Sequence, residues 1–356
     1  MRIECPKCRR ISTISSDLIV THKRALEISC SLCKSDVQIQ LSLLTEGIQL
    51  PNLESATQNQ ETRLTSVLAD TKDDPEILSL KSKILRSLVE LPPMPNIILR
   101  AREIMEDPRA SLKELSAVIE HDQAIVARVL ALANSAYYGL SGMVSSIQHA
   151  SILLGQRTLG ELITIAASSR LLSKKLKGYQ LNPGELWQHS LAVALGSKFI
   201  AEKISRDWVE DAFIAGLLHD AGKIILNPYV EERQDLFKTC LKNESPNFIK
   251  AEKEILGFNH AEVMSRATRF WRYPDTQSLA IRYHHDPMQS GHSQLAFVVH
   301  LADIAAKGAG YTYGHTGSSA EFDPQMLSYL GFKRAELDAI VADINTSVDK
   351  LVTEFQ

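Results

Sequence analysis

The sequence predicts a mainly α-helical protein, a helical bundle preceded by a small β module, and three observations carry that reading. Aromatic residues make up only 6% of the chain while Leu, Ile and Ala are abundant, a mixture that suits helices better than a β-sandwich. From Pro75 onward apolar residues recur at helical spacing between short Pro, Gly, Ser and Asp breaks, with no convincing strand. Residues 1–44 instead alternate roughly between apolar and polar, as in LEISC at 26–30 and DVQIQLSL at 36–43.

The elements follow in order. The stretch 45–76 is rich in Gln, Asn, Thr, Glu and Asp without an apolar period, which predicts a linker. A helical body is expected over 77–310, with a first helical part to about residue 180. Its helix starts are marked by Ser111 with Glu114, a capping-box pattern, and by Asn182-Pro183 and Ser245-Pro246. A Gly/Ser-rich loop at 308–320 lies before the final helices, whose start is marked by Asp323-Pro324, and residues 311–356 are read as loop and C-terminal helices. No fixed-period repeat suggests a regular solenoid.

With 44% hydrophobic residues in 356, the chain can bury a sizeable core. Its 39 basic and 42 acidic residues balance to −3, so no whole-chain field draws it to nucleic acid or membrane. MRIECPKCRR lacks the apolar core of a signal peptide, and no run of about 18 apolar residues appears, so a cytoplasmic protein off the membrane is expected.

Four of the five cysteines form two pairs, Cys5 with Cys8 and Cys30 with Cys33, in the pattern C-x2-C-x21-C-x2-C. That is close to the spacing of four-thiolate zinc sites, in which each pair supplies half a tetrahedron. A module this small buries little core, so a metal would supply folding energy that side chains cannot. With all four positions filled by thiolate, the zinc would be structural. The pairs resemble the zinc ribbons at the start of many bacterial regulatory proteins. Arg2, Lys7, Arg9, Arg10, Lys23 and Arg24 make the module basic; without interleaved aromatics, a solvated surface is expected rather than a nucleic-acid site. Cys240 reads as an inert helix residue.

LLHDAGKIIL at 217–226 sets His219 and Asp220 in an otherwise apolar helical run, with Lys223 after them. Further candidate ligands fall on separate predicted helices: His189, His260, His284, His285 and Asp303. Imidazole and carboxylate suit zinc, manganese or iron, and a helical bundle can gather such groups in one core pocket. His300, one turn before Asp303, is read as a core histidine with a second reading as Asp303's orienting partner. His121 and His149 are read as core or capping groups, His315 as solvent-facing, and Glu185 as a residue able to reach the pocket face. Trp187 and Trp271 are expected to pack the bundle.

The order His189, His219-Asp220, Asp303 resembles the H…HD…D signature of the HD phosphohydrolase superfamily, and the upstream region resembles its HDOD branch. The motifs are LPPMP at 91–95, EHDQAIVARVLALANSAYYG at 120–139, SIQHASILLGQRTLGELI at 146–163, GLLHDAGK at 216–223, GFNHAEV at 257–263, RFWRYP at 269–274 and RYHH at 282–285. The resemblance covers roughly residues 85–305. It implies an HD-type part after residue 180, in which His189, His219, Asp220 and Asp303 hold one divalent ion such as iron or manganese. Asp220 would bridge to a second ion held by His260 and His284 or His285. Lys223 sits where HD-GYP phosphodiesterases carry a lysine near the phosphate, so Asp220 and Lys223 are the catalytic candidates if the protein is an enzyme. The segment DPMQSGHSQ after His285 lacks the GYP loop, so the cyclic-dinucleotide substrate is not implied.

Two functions follow. The resemblance implies first a signal-transduction module with protein partners, whose pocket binds metal or a nucleotide ligand without turnover. The second is a metal-dependent phosphohydrolase or phosphodiesterase acting on a nucleotide-type substrate. The missing loop favours the first, and the full ligand set favours the second.

Overall fold

The computed structural model describes residues 2–4, 11–13, 25–29, 36–40, 75–90, 96–106, 111–119, 122–140, 142–242, 247–313 and 324–353. The chain divides into two units, Met1–Asp70 and Thr71–Gln356.

In the first unit β1 (Arg2–Glu4) pairs antiparallel with β2 (Ile11–Thr13), and β3 (Ala25–Ser29) with β4 (Asp36–Gln40). The strands predicted from LEISC and DVQIQLSL are thus present as one ladder in which Ser29 faces Asp36. Cys5, Cys8, Cys30 and Cys33 lie outside the described residues, as do LPPMP, His121, Ser245-Pro246 and His315.

The second unit is helical. Its first part contains α1 (Pro75–Glu90), α2 (Asn96–Glu106), α3 (Leu112–Ile119), α4 (Gln123–Ala133) and α5 (Ile147–Leu172). Caps start these helices: Ser111 and Glu114 exchange the bonds of the predicted capping box, Asp122 accepts from Ala124 and Ile125, and Ser146 accepts from His149. Gly155, at φ 79°, interrupts α5, and α2, α3 and α4 all pack against this long element. His149 is exposed in its first turn.

The second part comprises α6 (Glu185–Ile204), α7 (Val209–Leu218), α8 (Gly222–Glu232), α9 (Gln234–Lys242), α10 (Phe248–Leu256), α11 (His260–Phe270), α12 (Asp275–Tyr283) and α13 (Gln294–Gly308). Two further helices follow, α14 (Pro324–Leu330) and α15 (Arg334–Val352). Helix α6 is the axis: it packs on α7, α13 and α15 and is buried nearly all round from Leu186 to Ser197. Such a helix has no solvent face on which to leave a polar ligand, so His189 must find partners inside. Trp187 and Trp271 are buried, as expected of packing residues.

Two local expectations differ. Helix α6 begins at Glu185 rather than at Pro183, because Gly184 at φ 88° turns the chain first. The Glu185 carboxylate bonds back to the Asn182 amide and side chain, so it caps the turn and does not reach the pocket face. His219 and Asp220 also do not lie within one continuous helix: α7 ends at Leu218, and the pair occupies the turn before α8.

Candidate metal centre

The turn after α7 aims His219 and Asp220 inward, where α6, α11, α12 and α13 deliver His189, His260, His284 and Asp303. Local sequence explains the placement of His260. Gly257, at φ 76°, ends α10 and reverses the chain, and Asn259 with Glu262 forms a full capping box, so His260 opens α11 directly above Glu252. Gly222 is required opposite: a Cβ there would fall on the His260 carbonyl oxygen, and two backbones cannot yield as a flexible side chain can.

The Asp220 carboxylate sits between two sets of donors. Its Oδ2 lies 3.3 Å from His219 Nε2 and 3.7 Å from His189 Nε2. Its Oδ1 lies 2.9 Å from His260 Nε2 and 3.8 Å from His284 Nε2. Asp303 Oδ1 adds to the first set at 3.2 Å from His189 Nε2, and His285 to the second, its Nε2 2.9 Å from that of His260. Ligand atoms of His189, His219 and Asp303 fall within 4.8 Å of one another, as do those of Asp220, His260, His284 and His285.

The outer nitrogens fix what the inner ones can do. His189 Nδ1 donates to the Tyr311 carbonyl at 2.7 Å, His219 Nδ1 to that of Gly216 at 2.7 Å, and His284 Nδ1 to that of Ile281 at 2.7 Å. A carbonyl only accepts, so these Nδ1 atoms carry the hydrogen and a neutral ring leaves Nε2 as a bare lone pair. His260 Nδ1 likewise donates to Glu252 Oε2 at 2.7 Å. Those lone pairs face carboxylate oxygens and each other; His189 and His219 bring Nε2 to Nε2 at 3.3 Å. This is why Asp220 Oδ1, His284 Nε2 and Asp303 Oδ1 are buried without a hydrogen bond although other polar atoms are close.

Such an arrangement is repulsive unless a second proton or a cation stands between the groups. Burial, resisted by Asp303, holds the His189 pKa below its ordinary value, and burial with the neighbouring histidines holds His284 and His285 well below. Those three rings stay neutral near pH 7, so their Nε2 lone pairs are available to a cation. His260 differs: burial lowers its pKa, but the Glu252 and Asp220 carboxylates together outweigh it and raise the value. Burial pushes Asp220 up, yet Lys223, His219 and His260 together hold it well below the carboxylate range. Lys307 and His189 do the same for Asp303 against burial. Separations of 2.9 to 3.8 Å between donors match the edges of a coordination shell whose N and O ligands stand about 2.0–2.2 Å from the ion.

His189, His219, Asp220, His260, His284, His285 and Asp303 are therefore brought together, with Lys223 among them at 2.8 Å from Asp220 Oδ2, while Glu185 is not. His300 is not a partner of Asp303: its Nδ1 bonds the His284 carbonyl at 2.7 Å, steadying the end of α12. Several groups escaped the sequence reading. Glu252 accepts three bonds, from His260 N, His260 Nδ1 and, at 2.6 Å, Tyr179 OH. Lys307 pairs with Asp303 Oδ2 at 2.7 Å. Tyr313 donates to Asp220 Oδ2. Only Lys307 had a signal, its i,i+4 spacing from Asp303.

The HDOD domain family matches residues 91–287. The chain belongs to the HDOD family. A solved HDOD domain protein of unknown function from Geobacter sulfurreducens is 30% identical, covers 78% of this chain and 99% of its own, and superposes with a TM-score of 0.65. Two more distant proteins share the fold. One, from Shewanella amazonensis and provisionally named a phosphohydrolase, is 23% identical, with 77% of this chain and 98% of that one covered at TM-score 0.60. The other, from Marinobacter aquaeolei and provisionally named a signal transduction protein, is 22% identical, with 85% and 65% covered at TM-score 0.61. An uncharacterized Treponema pallidum protein is 25% identical over 232 residues. The alignment spans 64% of this HDOD chain and 41% of that relative's length.

Proposed function

We propose that the protein is a bacterial signal-transduction module in which the HDOD domain, at 77–310, carries an ion-binding pocket that transmits a regulatory state to protein partners. The observation that carries this is the ring of bare Nε2 lone pairs aimed at two carboxylates and closed over by protein. His189, His219 and Asp303 would hold one divalent ion and His260, His284 and His285 a second, with Asp220 bridging; iron or manganese suits these donors. When bound, such ions polarise a phosphodiester and supply a hydroxide near neutral pH. Asp220 and Lys223 are the groups of this chain that would then meet the phosphate, which is the hydrolase reading. Burial of the donors and the absent GYP loop favour regulation. None of the described helices is long and apolar enough to cross a membrane, and a cytoplasmic location fits the thiolate-type cysteine usage.

Residues 1–44 form the second metal site in this reading, a structural zinc ribbon joined by a linker at 45–76. In chain order Cys5 and Cys8 fall between the strands β1 and β2, and Cys30 and Cys33 between β3 and β4, an order that supports the reading in which each pair would supply half a tetrahedron.

Elemental analysis of the full chain tests both sites. Cys8→Ser is expected to remove zinc and leave pocket ions, whereas Asp303→Ala removes the pocket ion held with His189 and His219 and leaves zinc. No turnover is expected on cyclic nucleotides, dinucleotides and nucleotide phosphates with manganese or iron(II). Metal-dependent turnover abolished by Asp220→Ala would establish the hydrolase instead.

A further inference from the structure

The family match ends at residue 287, yet a side chain from beyond it stands inside the pocket. After α13 the chain runs through Tyr311, Thr312 and Tyr313 across the ligands of the first set. The Tyr311 carbonyl receives His189 Nδ1 at 2.7 Å, and its hydroxyl donates to Asp349 Oδ1 on α15 at 2.8 Å. Tyr313 is buried, and its hydroxyl meets both Asp220 Oδ2 and, at 2.9 Å, Lys223 Nζ. The phenol ring stands edge-on to His189 at 4.6 Å between centroids, and Lys223 Nζ is 4.7 Å from its centre.

We propose that Tyr313 is a specificity-determining residue that closes the Asp220 Oδ2 side of the pocket, so that the seated segment admits bare divalent ions and excludes phosphate-bearing ligands. The inference rests on reading the pocket as ion-binding. A phosphoryl oxygen approaching that side would need the Lys223 ammonium and open space over Asp220. Tyr313 fills the space, and Lys223 is committed to Asp220 and the phenol. His189 is 2%, His219 0%, Asp220 3% and Asp303 4% exposed, so a phosphodiester cannot reach them without displacing protein. His285, on the Oδ1 side, is by contrast only half-buried. Tyr311, two residues before Tyr313, is held on two sides, its carbonyl by His189 in the pocket and its hydroxyl by Asp349 on the outer helix. Whatever shifts α15 therefore bears on Tyr313, which gives the regulatory state a route to the pocket that does not require turnover.

The test uses the full chain and two readouts. Metal-stripped protein is labelled with diethyl pyrocarbonate, which modifies accessible neutral imidazoles, and each histidine is followed by peptide mass spectrometry. In the wild type, His189 and His219 should label far more slowly than exposed His149 and His292. Tyr313→Ala should raise the rates at His189 and His219 several-fold with His149 and His292 unchanged. Asp349→Ala, which cuts the outer tether at an exposed position, should do so more weakly while leaving the pocket side chains in place. In parallel, manganese-loaded protein is titrated with inorganic phosphate, which should bind to Tyr313→Ala and not to the wild type. Gated labelling without manganese binding in any version would sink the ion reading, and the selectivity with it. Manganese binding with His189 and His219 labelled equally fast in all three proteins would sink the Tyr313 closure alone.

Discussion

The two sides of Asp220 solve the same electrostatic problem differently. On the Oδ2 side the chain brings its own cations: Lys223 pairs with Asp220 at 2.8 Å and Lys307 with Asp303 at 2.7 Å. On the Oδ1 side the carboxylate faces imidazoles, and the one neighbour that adds charge is Glu252, a second anion behind His260. The difference teaches that one side is partly neutralised in advance and the other depends on what binds. Ion affinity should therefore be greater on the Oδ1 side, where no ammonium competes for the oxygen.

The most disruptive way to break the comparison is Asp220→Ala, which removes the group both sides share. It should abolish pocket metal entirely and leave Lys223 buried without its carboxylate, a loss of about 3 to 5 kcal/mol when one partner of a buried pair is removed. Metal content and a urea midpoint check both; retention of one ion would mean that the sides do not depend on a bridge.

A smaller, one-sided effect is expected from Glu252→Gln. The isosteric amide keeps the shape but withdraws the charge that orients His260 and raises its basicity, as carboxylates behind metal-bound histidines do. Affinity on the Oδ1 side should fall about 10- to 100-fold while the ion held by His189, His219 and Asp303 stays. Calorimetric titration with manganese would resolve the two; an equal loss on both sides would remove the distinction drawn between them.

The smallest effect is in pH. His189, His284 and His285 have lowered pKa values in the fold, so their contribution to stability is complete above the unfolded value of about 6.5 and is lost as pH falls toward the folded ones. His260, raised by the Glu252 and Asp220 carboxylates together against burial, has the opposite sign: its contribution is present below about 6.5 and is lost as pH rises through the folded value. Three against one, the metal-free protein should be less stable in mildly acid buffer than at neutral pH, and Glu252→Gln should deepen the loss. Denaturation midpoints on either side of the histidine range test this, and a gain in stability on acidification would contradict it.

Much of this was legible in the order of residues. The helical period after Pro75, the capping pair Ser111 and Glu114, and the alternating segments that form the strands at 25–29 and 36–40 are local features, set by neighbours a few positions apart. The ligands were legible one at a time, because His and Asp in apolar helices demand partners. The start of α6 was misread because Gly184 overrode the Pro183 signal, and Glu185 was misplaced with it. Glu252 looked like any acidic residue of an amphipathic helix, although it is fully buried.

By itself, then, the sequence determined the helices, the strand-like segments at 26–30 and 36–43, and which imidazoles and carboxylates would need one another, since period, caps and desolvation cost act through local chain and residue type. Only the tertiary structure decided that Asp220 divides its two oxygens between two donor sets, that Glu252 stands behind His260, and that Tyr313 covers the pocket. Those three facts depend on contacts between residues 40, 8 and 93 positions apart. Loop closure over such distances is governed by the packing of α6 against its neighbours, and no local pattern encodes it.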